Sequence, residues 1–134
     1  MMSDDETGAM ILRYRLRQGL EGTVAQARAL TAAMLEGVHQ EHLSEDAGLI
    51  VSELATNAIK ATPGKDVVLV LRDEEDAVFI GVWDCDTHVP EAVCADPLAE
   101  SGRGLLIVAA LSSDHGCEPV PGGKVMWARL SKKR

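Results

Sequence analysis

The chain predicts an α+β fold: a two-layer sandwich with helices on one face of a mixed, mostly antiparallel sheet. Three observations predict it. Apolar residues recur at helical spacing in two consecutive segments between residues 23 and 62. Two runs of β-forming residues, DVVLVLR and DAVFIGVW, flank an acidic turn. The order strand, two helices, two strands, loop, helix, two strands segregates the two kinds of element instead of alternating them. At 134 residues, with 46% hydrophobic and 25% charged residues, the chain has the size and composition of one globular domain, 1–134.

Taken in order, residues 1–8 form an acidic tail expected to be disordered. Met10 to Leu16 alternates as a strand and sets Arg13, Arg15 and Arg17 on one face, a solvated face in preference to a partner-binding patch. A helix from Val24 to Val38 carries Ala27, Leu30, Met34 and Val38 on its buried side, with Thr23 as its cap. The polar connection VHQEHLSED holds His39 and His42. Ser44 is placed to cap the second helix, Glu45 and Asp46 suit its positive N-terminal end, and Thr62-Pro63-Gly64 stops it. The two runs after it, from Asp66 and from Asp76, read as a hairpin across Asp73, Glu74 and Glu75. Residues 84–104, DCDTHVPEAVCADPLAESGRG, sustain neither period; a loop of that length in a compact domain is functional or disordered. A helix over Leu105 to Leu111, a short strand around His115 to Cys117 and a last strand over Val125 to Leu130 complete the chain.

Composition narrows the function. A net charge of -8 and 3% aromatic residues disfavour direct nucleic-acid binding, which needs clustered cations and stacking rings. No window approaches the roughly 18 apolar residues of a membrane span and no leader pattern opens the chain, so a soluble cytoplasmic protein is expected. Cys85, Cys94 and Cys117 are odd in number and lack the close pairing of a zinc site; free, mostly buried thiols are expected.

Three polar features stand out against this background. In SELATNAIKAT, with Ala47, Ile50, Val51, Leu54, Ala58 and Ala61 as the buried stripe, Glu53 and Asn57 project from its border and Lys60 lies beyond. Asp84 ends the apolar strand VFIGVW, where a carboxylate can leave the sheet to accept hydrogen bonds. In ESGRGLLIV, Gly102 and Gly104 precede an apolar helix and permit close backbone approach to an anion at its first amides. A P-loop and a Rossmann fingerprint are both absent from the sequence. Each feature alone has an ordinary structural explanation: a solvated helix flank, a strand terminus, a turn into a helix.

Their order is more specific. With VSELATNAIKAT, GVWDCD, ESGRGLLIV and the closing GGKVMWARL, the chain resembles the GHKL, or Bergerat-fold, ATP-binding domains of type II topoisomerases, heat-shock chaperones, sensor histidine kinases and mismatch-repair ATPases. Within them it is most similar to the small bacterial anti-sigma-factor serine kinases. The resemblance implies ATP and Mg²⁺ as ligands. It implies Asn57 as the metal ligand, Glu53 as the general base, and Asp84 as the acceptor of the adenine amine. Gly102, Gly104 and the following amides, beginning with that of Leu105, would hold the phosphates; Arg103 and Lys60 would add positive charge, and residues 85–101 would form the nucleotide lid. It implies an anti-sigma-factor antagonist and a sigma factor as protein partners, and homodimerisation as in the kinase relatives. Two departures accompany it. The box after Asp84, DCDTHVP, is poor in glycine, and Val125 stands where a threonine near the adenine is expected. A catalytically weak ATP-binding regulatory module is the alternative to a kinase, and a stand-alone ATPase the third reading. A sensor histidine kinase is disfavoured, because the chain has no long helical hairpin to present a phospho-accepting histidine.

Overall fold

The computed structural model describes residues 2–4, 10–17, 22–88 and 100–133. In chain order its elements are β1 (Met2–Asp4), β2 (Met10–Leu16), α1 (Thr23–Gly37), a 3₁₀ turn (Glu41–Leu43), α2 (Ser44–Ala61), β3 (Val67–Asp73), β4 (Ala77–Asp84), α3 (Glu100–Leu111), β5 (Asp114–Val120) and β6 (Gly123–Ser131). The strands form one sheet in the order β1-β2-β3-β4-β6-β5, and every described pairing is antiparallel. The α+β sandwich expected from the sequence is therefore present. Its sheet also has one strand more: Met2 to Asp4, expected within a disordered tail, pairs with Met10 to Leu12.

The helical layer lies on one face because the strands alternate. Val67, Leu69 and Leu71 of β3 are fully buried, while Val68, Val70 and Arg72 between them are half-buried on the opposite face. Against the buried face lie Ile50, Val51, Leu54 and Ala58 of α2, and with Leu16, Leu35, Val78, Ile80, Val82, Val108 and Leu130 they form one core cluster. Aliphatic side chains build that core, as the shortage of aromatics requires. Phe79 and Trp127 stack on the other face with ring centroids 5.8 Å apart, and the guanidinium groups of Arg72 and Arg129 lie 4.9 and 5.3 Å from the Phe79 ring. This cover explains why β4 is buried on both faces and reads as a continuous apolar run.

Several local expectations change. Neither Thr23 nor Ser44 caps a helix. The N-cap of α1 is Gly22, and the Thr23 hydroxyl donates instead to the Arg17 carbonyl at 3.1 Å. The 3₁₀ turn runs straight into α2, so Ser44 is already helical and has no capping bond to make. Ala61, expected in the buried stripe, is exposed at the end of α2. The β3–β4 hairpin holds as expected, and its acidic turn is ion-paired: Glu74 with Arg129 at 2.7 Å and Asp73 with Lys132 at 2.7 Å. Arg13, Arg15 and Arg17 are exposed. Cys85 is exposed and Cys117 half-buried, correcting the expectation of mostly buried thiols; Cys94 lies outside the described residues. Among the described residues no helix is long and apolar enough to cross a membrane.

Candidate functional site

Asp84 is the last residue of β4, and the register of β4 against β6 sets it opposite Lys124. Both point into the helical side of the sheet. They are almost wholly enclosed, Asp84 at 0% and Lys124 at 3% exposure. The Lys124 ammonium donates to Asp84 Oδ1 at 2.9 Å and to Asp86 Oδ2 at 3.3 Å. The Asp86 amide donates to the same Asp84 Oδ1 at 2.9 Å, and the His88 amide to Asp86 Oδ1 at 3.0 Å. Two consecutive Asx turns thus take the place of glycines in DCDTH. The other oxygen of Asp84, Oδ2, is buried and has no partner among the described residues. An orphaned buried acceptor costs on the order of 1–3 kcal/mol, so this oxygen calls for a donor from outside the described protein atoms, a water or a ligand.

Burial alone would depress Lys124, but the hydrogen bonds and charges of Asp84 and Asp86 outweigh it and raise the ammonium above its ordinary 10.5. For Asp86 the amide of His88 is the main influence and lowers the carboxyl below its ordinary 3.8, with Lys124 assisting against desolvation. On β5, opposite Met126, burial raises the Cys117 thiol; Lys124 opposes this and Asp84 reinforces it.

Val125, expected near an adenine, does not share the sheet face of Asp84. It pairs with Trp83 on the far face of the sheet, and a Cβ on Gly81 would stand 2.9 Å from its Cγ1. Met126, Ala128 and Leu130 are the inward residues of β6, so the position facing Asp84 must share their parity. That position is Lys124. Counting back by twos from the apolar residues would have found it in the sequence. Gly123 makes the approach possible: a Cβ there would overlap the Asp84 carbonyl oxygen.

In the helical layer, α2 presents Glu53 and Asn57 one turn apart. Both are half-buried at the border of the stripe formed by Ile50, Val51, Leu54 and Ala58, as the helical spacing required. Lys60 is exposed in the last turn. Gly104 of α3 meets Glu53 directly: a Cβ on Gly104 would overlap Glu53 Oε2. Helix α3 begins at Glu100. Gly102, Arg103 and Gly104 therefore belong to the helix and do not precede it. Gly102 lies in the first turn, whose amides have no helical acceptor, but the amides of Gly104 and Leu105 fall where they bond to carbonyls four residues back. Gly104 thus serves as a gap for Glu53, and half-buried Leu105 packs against the core. The expected lid splits: 85–88 follow β4, 89–99 lie outside the described residues, and 100–101 are helical.

The donor set suits a nucleotide. Asp84 Oδ2 offers a buried acceptor of the kind that an exocyclic amine satisfies, while Glu53 and Asn57 supply oxygen atoms at a half-exposed edge suited to hydrated, charged groups.

The architecture is that of an α+β domain with an antiparallel sheet covered by helices on one face, a buried carboxylate at a strand end and a Glu/Asn border on a helix whose Glu53 meets a second helix. Residues 17–130 match the family described as the histidine kinase-like ATPase domain. The chain belongs to that family, and membership implies ATP binding. Comparison with curated proteins gave no match.

Proposed function

We propose that the domain binds Mg·ATP and transfers its γ-phosphoryl group to a serine of a small antagonist protein, and that it sequesters a sigma factor on another surface, in the manner of the anti-sigma-factor serine kinases. One observation supports the kinase reading above all: the Glu53 carboxylate occupies the space left by the absent Gly104 side chain. Among the described residues it enters no ion pair. An unpaired, positioned carboxylate is what a general base requires. In the transfer the serine oxygen bonds to the γ-phosphorus, the bond from that phosphorus to the β,γ-bridging oxygen breaks, ADP leaves, and the serine proton passes to Glu53.

The orphan Asp84 Oδ2 receives the adenine amine. The amide oxygen of Asn57 would hold Mg²⁺, which when bound neutralises charge on the phosphates. Gly102 in the open first turn of α3 would supply a phosphate-binding amide, and Lys60 and Arg103 positive charge. The second reading, a binding module with little catalysis, draws on Lys124, whose ammonium already occupies one oxygen of the adenine-binding carboxylate. A stand-alone ATPase would place water where the serine oxygen attacks.

Two measurements separate these readings. Mg·ATP at about a hundredfold excess over its Kd stabilises a binding protein by roughly 2.7 kcal/mol in thermal unfolding, and absence of any shift rules out the nucleotide reading. Transfer of labelled phosphate to candidate antagonists, falling by about 10²–10⁴-fold in Glu53→Ala while ATP binding persists, identifies the kinase. Binding without transfer to any antagonist leaves the regulatory module.

A further inference from the structure

We propose that Lys124 is a second base-reading residue: its ammonium, held by Asp84 and Asp86, donates its remaining N–H to N1 of adenine while Asp84 Oδ2 accepts from the 6-amino group. The inference rests on the nucleotide reading above and names how the base is chosen.

An ammonium has three donors and accepts nothing. Two of the donors of Lys124 are spent, on Asp84 Oδ1 at 2.9 Å and Asp86 Oδ2 at 3.3 Å. At 3% exposure it has little water to take the third. Next to it, the same Asp84 carboxylate keeps a buried oxygen with no donor among the described residues. The inner corner of the sheet therefore presents one unspent donor and one unspent acceptor, fixed to each other through a single carboxylate. The pairing edge of adenine carries the complementary groups side by side, an amine that donates at position 6 and a ring nitrogen that accepts at position 1.

Guanine reverses both. It sets a carbonyl oxygen against the carboxylate and an N–H against the ammonium, so it meets two mismatches where a lone aspartate would impose one. The backbone holds this arrangement in place. Asp84 and Lys124 are register partners on adjacent strands, and Gly123 lets β6 close on the end of β4. Withdrawal of Lys124 would leave Asp84 and Asp86 without the cation that joins them.

Calorimetric binding of ATP, 1-deaza-ATP and GTP to the full chain and to Lys124→Met tests this. The wild type should bind 1-deaza-ATP about tenfold to hundredfold more weakly than ATP, the loss expected for a hydrogen bond from a charged donor. In Lys124→Met that difference should vanish and discrimination against GTP should narrow. Lys124→Gln keeps a neutral donor and should retain part of the difference; it serves where the methionine variant does not fold, as judged by thermal unfolding without ligand. Equal binding of ATP and 1-deaza-ATP by the wild type overturns the proposal and leaves the nucleotide reading intact. Tighter ATP binding by either variant also overturns it, because Lys124 would then obstruct the pocket. A wild-type chain that binds no ATP overturns both readings.

Discussion

The proposed site has a base end and a phosphate end, and the two are built from different material. At the base end, Asp84 and Lys124 come from paired strands, are buried almost completely, and hold each other at 2.9 Å. At the phosphate end, Glu53 and Asn57 come from the exposed border of a helix and are half-buried, and Glu53 borders a backbone gap in a second helix. On the proposed reading, recognition would be welded into the fold, whereas the chemistry would be carried by groups that the core does not enclose. Damage at the base end should register first as lost stability, and damage at the phosphate end as lost activity with the fold intact.

The largest stability effect expected from this contrast is that of Asp84→Ala. It strands a buried ammonium with only the longer contact to Asp86, and breaking a buried ion pair from one side costs on the order of 3–5 kcal/mol. Denaturant unfolding without ligand should show the loss before any nucleotide is added. Titration approaches the same pair more gently. Because the folded state raises Lys124 above 10.5, the folded chain holds its proton where the unfolded chain has released it. The contribution of the pair is complete below about pH 10 and declines as pH rises through 10.5 towards the folded value. Wild-type stability should thus fall on the alkaline side more steeply than that of Asp84→Ala. Equal alkaline slopes would show that the pair contributes nothing to folding.

Gly104→Ala tests the opposite end. The added methyl overlaps Glu53 Oε2, which is the tip of a flexible side chain and can swing aside. Alanine is also the better helix former by about 0.8–1 kcal/mol. Thermal stability should therefore stay within about 1 kcal/mol of the wild type or rise slightly. A displaced base should nevertheless slow labelled-phosphate transfer by up to about a hundredfold, with ATP affinity little changed. A large fall in stability with unaltered transfer would reverse the assignment of the two ends.

The two ends also differed in how far the sequence revealed them. The helical period placed Glu53 and Asn57 correctly, because the apolar stripe of α2 fixes which positions lie at its border. Asp84 followed from a strand that stops being apolar. What escaped depends on contacts between segments distant in the chain. Asp84 and Lys124 are 40 residues apart; the period of two in β6 gives Lys124 its inward face, but no local pattern pairs it with Asp84. The gap at Gly104 exists only because α3 crosses Glu53, so in the sequence the glycines read as a turn before the helix. Local propensity misled at Thr23 and Ser44 as well, since tertiary contacts and a preceding 3₁₀ turn set those helix starts.

The smallest effect expected is the most pointed test of register. Val125→Thr supplies the hydroxyl that resemblance led one to seek near the adenine, but on the wrong face: position 125 pairs with Trp83 on the open side of the sheet, behind the backbone of β6. The site is half-exposed and both residues are β-branched, so stability should change by no more than about 0.5 kcal/mol. ATP affinity should stay within about twofold, a difference below about 0.5 kcal/mol. Lys124→Thr moves the same hydroxyl one residue back, onto the face of Asp84, and must alter nucleotide binding if that face is the base pocket. A response at 125 with none at 124 would mean that β6 is shifted by one residue against β4, and the ion pair that defines the base end would go with it.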